Sequence, residues 1–579
     1  MNTINETVTH IFDEMAVFLE MEGIAFKPRA YEKAAESIRD FPQGLDALYQ
    51  QKGRKGLDAL SGVGLGLAEK IEEFLKTKRI AEYERFKKKY PIHISELRAV
   101  EGVGPKMILM MYKKLGVRTL RDLRNAVQQK KLRDLPGFGE KKEGHIAQSL
   151  AFLEQNGNRR ILGAVLPLAE HIELFLQSVP GVKHAAVAGS IRRRQETIGD
   201  IDILVTASQH SKVLDAFVRM DEVASVVSKG ARKAHVRLKN GMAADLLVVD
   251  DESFGAALQY FTGDKQHTIL VREIAAKKGM KLNEYGLWKG KKRLAAKTEK
   301  DIYHALGMEY IEPELRTGSG EIEAALHNAL PHIISYGSVR GDLQTQTHWT
   351  DGSASIHEMA QAALGLGREY IAITDHTKTL AIARGLDEKG LGRQAKEINK
   401  ENLFFKKKGF HILKGAEVNI LKDGSLDISN AALKKLDIVG IAVHSHFKLS
   451  RSAMTERIIR AMKNPFADVL YHPTGRLINK RPGYEVDMEK IIRAAKEYHV
   501  ALEINAYPER SDLRDEYVRM AVQAGAKLVI DTDAHAPEHL KYIPLGEAIA
   551  RRGWAEHVDI LNTLPFKKCL AYFRRYRTH

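Results

Sequence analysis

From residue 369 to residue 535 one pattern recurs: a short apolar run closes on a histidine or an acid, and a helical stretch follows. The runs are EYIAITDH, FHILKGAEVNI, KKLDIVGIAVHSHF, FADVLYHPTGR, VALEINAYPE and GAKLVIDTDAH. Repeated strand–helix units over 200–250 residues predict a parallel α/β barrel, whose chemistry gathers at the C-terminal ends of its strands. Those ends carry Asp375-His376, Glu417, His444 with His446, His472, Asp533 and His535. Imidazole mixed with carboxylate suits Zn²⁺ or Mn²⁺.

Just before the first of these runs stands GDLQTQTHWTDG, residues 341–352. On a strand, Gln344, Gln346 and His348 alternate onto one face, with Asp351 shortly after. The spacing suits a metal site, but two of the three side chains are amides, which are weak metal donors.

A chain of 579 residues is too long for one core, so three or more domains are expected. The net charge of +16 predicts attraction to a polyanion, most simply nucleic acid. A single cysteine, Cys569, excludes an internal disulfide and fits a reducing compartment. No signal peptide and no membrane-length apolar run is found, so a soluble, cytoplasmic protein is expected.

Residues 1 to about 150 show helical spacing and three similar segments. Each has an apolar approach, a Gly-x-Gly turn and an amphipathic helix: Gly62/Gly64, Gly102/Gly104 and Gly137/Gly139. Glycines permit close approach, and the first helical turn offers free N–H groups, which together suit a phosphate but read no base. Lys106, Lys141 and Lys142 are placed to add charge. A single copy is as well explained by a tight helix–helix turn; three copies on a basic chain favour nucleic acid. Lys70, on the helix after the first turn, reads most simply as a surface lysine paired with nearby acids.

Residues 181–250 change character. GVKHAAVAGS and IGDIDILVTA read as strands, and HVRLKNGMAADLLVV as a hairpin turning at Asn240-Gly241. Asp200 and Asp202 then share a face, and Asp245 joins them from a neighbouring strand. Three carboxylates on one face repel unless a cation lies among them, and Mg²⁺ or Mn²⁺ suits an all-oxygen site. Gly189-Ser190 and Arg192, Arg193 and Arg194 are placed to hold a triphosphate.

GSIRRRQETIGDIDILV resembles the nucleotidyltransferase signature, in detail that of family X DNA polymerases. The resemblance implies that Ser190 and Arg193 contact the incoming triphosphate and that Asp200, Asp202 and Asp245 hold two metals. ALQYFTGDKQHTILVR is similar to the family's nucleotide-binding segment, with Tyr260, Phe261 and Gly263 beside the nucleotide and Arg272 near the template. Asp264 stands where the family usually has Ser, Thr268 where an Asn usually contacts the nucleotide, and Ala243 where some members have a longer residue. The three hairpins resemble helix-hairpin-helix motifs. By the same resemblance Lys70 is a Schiff-base nucleophile for 5′-deoxyribose phosphate, although Gly66 replaces a basic residue of some members.

The second half resembles the PHP (polymerase and histidinol phosphatase) domain of bacterial family X polymerases, whose opening motif is normally Asp-Leu-His-x-His. Gln344 and Gln346 replace its two histidines. The family pattern implies three metals: one held by those positions with Glu417 and Asp533, a second by Asp351, His376 and His535, and a third by Glu417, His444 and His472. The first is expected to be weak or absent, and His348 to substitute only if the strand slips by two residues.

The expected architecture is multidomain. Residues 1–88 form a helical DNA-binding domain and 89–158 a helix-hairpin-helix subdomain. An α+β nucleotidyltransferase palm spans 159–258, a nucleotide-binding subdomain 259–316, a linker 317–336 and a distorted TIM-like barrel 337–579. The expected activity is gap-filling DNA synthesis on gapped or primer–template DNA with dNTPs, by a monomer, with an impaired 3′→5′ nuclease that by resemblance also cuts at abasic sites. Alternatives left open are an RNA-directed nucleotidyltransferase, a non-catalytic repair scaffold and a chain that is mainly a nuclease.

Overall fold

In the computed structural model the described residues are 3–575, except 42, 61, 99, 101, 157 and 158. The expected boundary at residue 158 lies outside them. The chain divides into two compact units, residues 1–157 with 479–481, and residues 158–478 with 482–579.

The first unit is helical. Its three expected turns share one geometry: Gly62, Gly102 and Gly137 have φ of 72°, 84° and 75°, a region that favours glycine. Gly64 and Gly104 are the N-caps of helices Leu65–Thr77 and Pro105–Leu115. Gly139 precedes helix Glu140–Asn156.

The second unit holds the palm, the following subdomain and the barrel. The palm is a five-stranded sheet of β1 (Val182–Val187), β2 (Asp200–Ala207), β3 (Val223–Lys229), β4 (Lys233–Leu238) and β5 (Ala243–Val249). Its order is β1-β2-β5-β4-β3, and only β2 and β5 pair in parallel. β4 and β5 form the expected hairpin, with Gly241 at φ 87°. Helices Leu162–Ser178 and His210–Val218 bury Val165, Ile172, Leu214 and Phe217 against the sheet. Helix Phe254–Thr262 leads into the subdomain, through helix Lys265–Lys277 and a three-stranded sheet. Residues 317–336 are built in: helix Glu321–Leu326 places Ile322 and Ala325 in the same core as Ile311 and Leu315.

The barrel has seven parallel strands in sequential order: β6 (Gly341–Thr345), β7 (Tyr370–Ile373), β8 (His411–Asn419), β9 (Ile438–Ala442), β10 (Val469–Leu470), β11 (Ala501–Asn505) and β12 (Leu528–Asp531). A bridge between Thr345 and Ala534 nearly closes it. Gly341 and Gly440 are required inside, because a Cβ there would lie 2.0 Å from the Tyr370 ring and 1.7 Å from the Tyr471 ring. No helix among the described residues is long and apolar enough to cross a membrane.

Candidate functional sites

The palm register sets Asp202 directly opposite Asp245 across β2 and β5, and Asp200 opposite Ala243. The three acids therefore meet at one end of the only parallel strand pair in that sheet. Burial and the charges of Asp200 and Asp245 push the Asp202 carboxyl up to about 6. That mutual repulsion is what a divalent cation relieves, so the triad fits the metal that its chemistry implies. Asp245 is steadied from β4, by Lys233 at 2.9 Å and His235 at 3.0 Å. Sequence inspection passed over both, although their i, i+2 spacing on the partner strand is the signal for a shared face.

Gly189 lies at φ 57° under Asp202, where a Cβ would come 2.2 Å from Asp202 Oδ2, so the Gly189-Ser190 turn abuts the triad. The arginine run divides. Arg193 is largely buried and donates to the Thr262 carbonyl, beside Gly263. Arg192 is committed elsewhere: its Nη2 is 2.6 Å from Glu299 Oε2, and Glu299 also pairs with the fully buried Arg316. Two arginines hold that carboxyl down at about 2. Arg194 gives its carbonyl to Arg552 of the barrel.

Tyr260 and Phe261 cross edge-to-face at 5.1 Å at the end of their helix. Asp264 caps the next helix by accepting from the His267 N–H at 2.8 Å, a task that serine also performs. Thr268 is buried one turn later. Arg272 is exposed on the same helix.

In the first unit a Cβ on Gly64, Gly104 or Gly139 would meet nothing among the described residues within 4 Å, so the backbone there is open to a ligand. Lys106 and Lys141 are exposed beside those turns, whereas Lys142 Nζ closes its own turn on the Gly137 carbonyl at 3.1 Å. Lys70 is half-buried and pairs with Glu82 of helix Ala81–Lys89, not with the acids of its own helix.

In the barrel, Glu417 is the hub. His472 Nε2 lies 2.8 Å from Oε1, His444 Nε2 3.0 Å from Oε1 and His376 Nδ1 3.4 Å from Oε2. The histidines hold this buried carboxyl far below its ordinary range. Among the described residues, two groups bring their donor atoms close enough to share an ion: Asp351, His376 and His535, and His376, Glu417 and His444. These donors fit a cation that accepts both nitrogen and oxygen.

The third corner does not fit. Gln346 Nε2 donates to Glu417 Oε2 at 2.8 Å, and Gln344 Oε1 faces Asn505 Nδ2 at 3.5 Å. Asp533 is taken by Arg510, whose Nε lies 3.0 Å from Oδ2. A guanidinium thus pairs with one carboxylate of the expected ligand set. Arg510, in a loop rather than at a strand end, escaped the sequence pattern, as did Glu503 on β11. Burial and neighbouring Asp531 and Asp533 raise the Glu503 carboxyl well above its usual range.

Three expectations fail locally. The strand ends at Thr345, so His348 leaves the alternation, sits in a turn and is exposed. The register slips between Asp342 and Thr345, which turns Gln344 and Gln346 inward although Leu343 also packs inside the barrel. Asp375 faces away, accepting from Thr347 at 2.6 Å and Gln394 at 2.6 Å, and His446 is exposed at φ 57°.

The chain thus carries a carboxylate triad on a palm sheet and a histidine–carboxylate cluster in a parallel barrel. Residues 257–317 match the DNA polymerase beta thumb, 3–80 a helix-hairpin-helix domain and 94–151 a SAM-like helix-hairpin-helix tandem. The chain is 35% identical over 574 residues to the DNA polymerase/3'-5' exonuclease PolX of Bacillus subtilis, covering 98% of this chain and 99% of that protein. A probable phosphatase of Thermoanaerobacter is 34% identical over 206 residues, 33% of this chain and 78% of its own. DNA polymerase lambda of Arabidopsis thaliana is 26% identical over 348 residues, 54% of this chain and 62% of its own. The chain belongs to the bacterial family X DNA polymerases with a C-terminal PHP domain.

Proposed function

We propose that this protein is a DNA-directed DNA polymerase that fills short gaps in DNA repair, with a PHP phosphoesterase centre of reduced 3′→5′ exonuclease capacity. The pairing of Asp202 with Asp245 on adjacent parallel strands, backed by Gly189, carries the reading. Asp200, Asp202 and Asp245 would hold Mg²⁺ or Mn²⁺. When bound there, the cations lower the cost of deprotonating a primer 3′-hydroxyl and offset charge on the leaving pyrophosphate. Lys233 and His235 keep the Asp245 carboxylate in place. Ser190 and Arg193 hold the triphosphate of a dNTP, and Tyr260 and Phe261 offer an aromatic wall to its sugar. The open hairpin turns hold DNA by its backbone without reading sequence.

In the barrel, Asp351, His376 and His535, and Glu417, His444 and His472, would hold Zn²⁺ or Mn²⁺, whose role is to polarise a phosphate ester. The glutamine corner leaves the cluster incomplete. Lys70 pairs with Glu82, so the lyase role needs that pair to open.

The test follows a labelled primer on a one-nucleotide-gapped duplex with Mn²⁺, with and without dNTPs. Extension by the parent, lost in Asp200→Ala, supports the reading. Robust 3′ shortening by the parent would overturn the claim of a weakened nuclease.

A further inference from the structure

The loop between the Gly189-Ser190 turn and Asp200 is gripped by the barrel. Arg552, whose side chain is only 2% exposed, donates through Nη1 to the Arg194 carbonyl and through Nε to Asp515 at 2.8 Å. Two residues on, Glu196 receives Arg476, which also donates to the Ser511 carbonyl. The side chains of Arg476 and Glu196 are 11% and 20% exposed. Arg514 stands 3.7 Å from the other Glu196 oxygen. Beyond Glu196, Thr197 and Ile198 pair with Ile161 and Arg160, and Asp200 opens β2.

Arg476 and Ser511 come from the loops that build the barrel's own centre, and Arg552 ends helix Ile543–Arg552. Arg476 lies four residues after His472, and Ser511 follows Arg510. Asp512 ties the two loops together by accepting from the Thr474 and Gly475 N–H groups at 3.0 and 2.9 Å. Gly163, at the head of the palm helix, meets the barrel so closely that a Cβ would lie 2.7 Å from Pro508.

A largely buried ion pair adds little net stability, because desolvation offsets its attraction, but it fixes position tightly. Here it fixes a loop with nucleotide-facing Arg193 at one end and metal-facing Asp200 at the other. We infer that Arg476 and Arg552 are positioning residues of the polymerase centre, so that the barrel sets how the palm loop 193–200 presents itself to the nucleotide and its cation. The inference rests on the polymerase reading above. It makes the barrel necessary for efficient nucleotide addition even where its own cluster is incomplete.

The experiment uses the full chain with Arg476→Ala, Arg476→Lys and Glu196→Gln. It measures kcat and KM for dNTP on the gapped duplex, DNA affinity, melting temperature and Mn²⁺·dNTP affinity without turnover. Displacing the loop by about an ångström should lower kcat/KM for dNTP by roughly tenfold to a hundredfold in Arg476→Ala and Glu196→Gln. DNA affinity should stay at the parental value, and Arg476→Lys should recover part of the loss. Kinetics within twofold of the parent in both variants would overturn the inference. If Arg476→Ala does not fold, Glu196→Gln, which keeps the shape, decides alone. A parent that binds Mn²⁺·dNTP but extends no primer sinks the polymerase reading instead. The positioning role is then decided by the nucleotide affinities of the same variants.

Discussion

The side-chain amide of Gln346 donates from Nε2 to Glu417 Oε2 at 2.8 Å, presenting hydrogen to the carboxylate where a histidine would present a lone pair to a metal. A neutral amide is a weak donor to transition metals. The parent should therefore hold fewer ions in the barrel than Gln344→His/Gln346→His. Metal content per chain after dialysis against Zn²⁺ or Mn²⁺ checks this, with Asp200→Ala as background to remove palm binding. Equal content in parent and double variant counts against it.

Arg510 sharpens that expectation. With its Nε 3.0 Å from Asp533 Oδ2, it competes for a carboxylate that the family pattern assigns to a metal. Arg510→Gln added to the double histidine variant should raise ion affinity further. In the parent the same change should lower melting temperature, because removing one partner of a buried pair costs about 3–5 kcal/mol.

The Asp202 carboxyl gives the palm a pH dependence with a definite sign. Its raised value, about 6 against an ordinary 3.8, means that the folded chain holds this proton more tightly than the unfolded chain between those limits. Without metal, stability should fall as pH rises through that window. Mn²⁺ should reverse the loss above about pH 6 and bind progressively worse below it, where the proton competes. Melting curves with EDTA and with Mn²⁺ across pH 4–8 test both halves.

Gly189→Ala forces a methyl group to within 2.2 Å of Asp202 Oδ2 at a positive φ. Nucleotide addition should fall by about a hundredfold from the displaced carboxylate, with retained helical signal. Addition at the parental rate would show that the turn can retreat without disturbing the triad.

At the hairpins, Gly102→Ala and Gly137→Ala each place a side chain at strained φ, costing on the order of 1–3 kcal/mol locally. DNA affinity should drop for every sequence alike if the turns hold only backbone as proposed. Lys106→Glu should also flatten the dependence of affinity on salt. Fluorescence anisotropy on two unrelated duplexes at two salt concentrations would expose any sequence preference.

The palm triad was legible because a period of two and an Asn-Gly turn are local properties, and together they dictate which carboxylates share a face. The barrel was legible because each strand end carries its own chemistry in sequence order. The fate of individual polar side chains was not legible. Arg192 and Arg193 are neighbours of one kind, yet Glu299, more than a hundred residues away, claims the first and leaves the second to the nucleotide loop. His348 fits the alternation on paper, but the strand stops at Thr345 and the register slips before it. Arg510 and Arg476 carry no local signal, and only folding sets them against Asp533 and Glu196. Sequence determined which groups exist and how they repeat along each element. Tertiary structure alone decided which charge meets which, because pairing energy depends on distance and burial, and neither is a property of the unfolded chain.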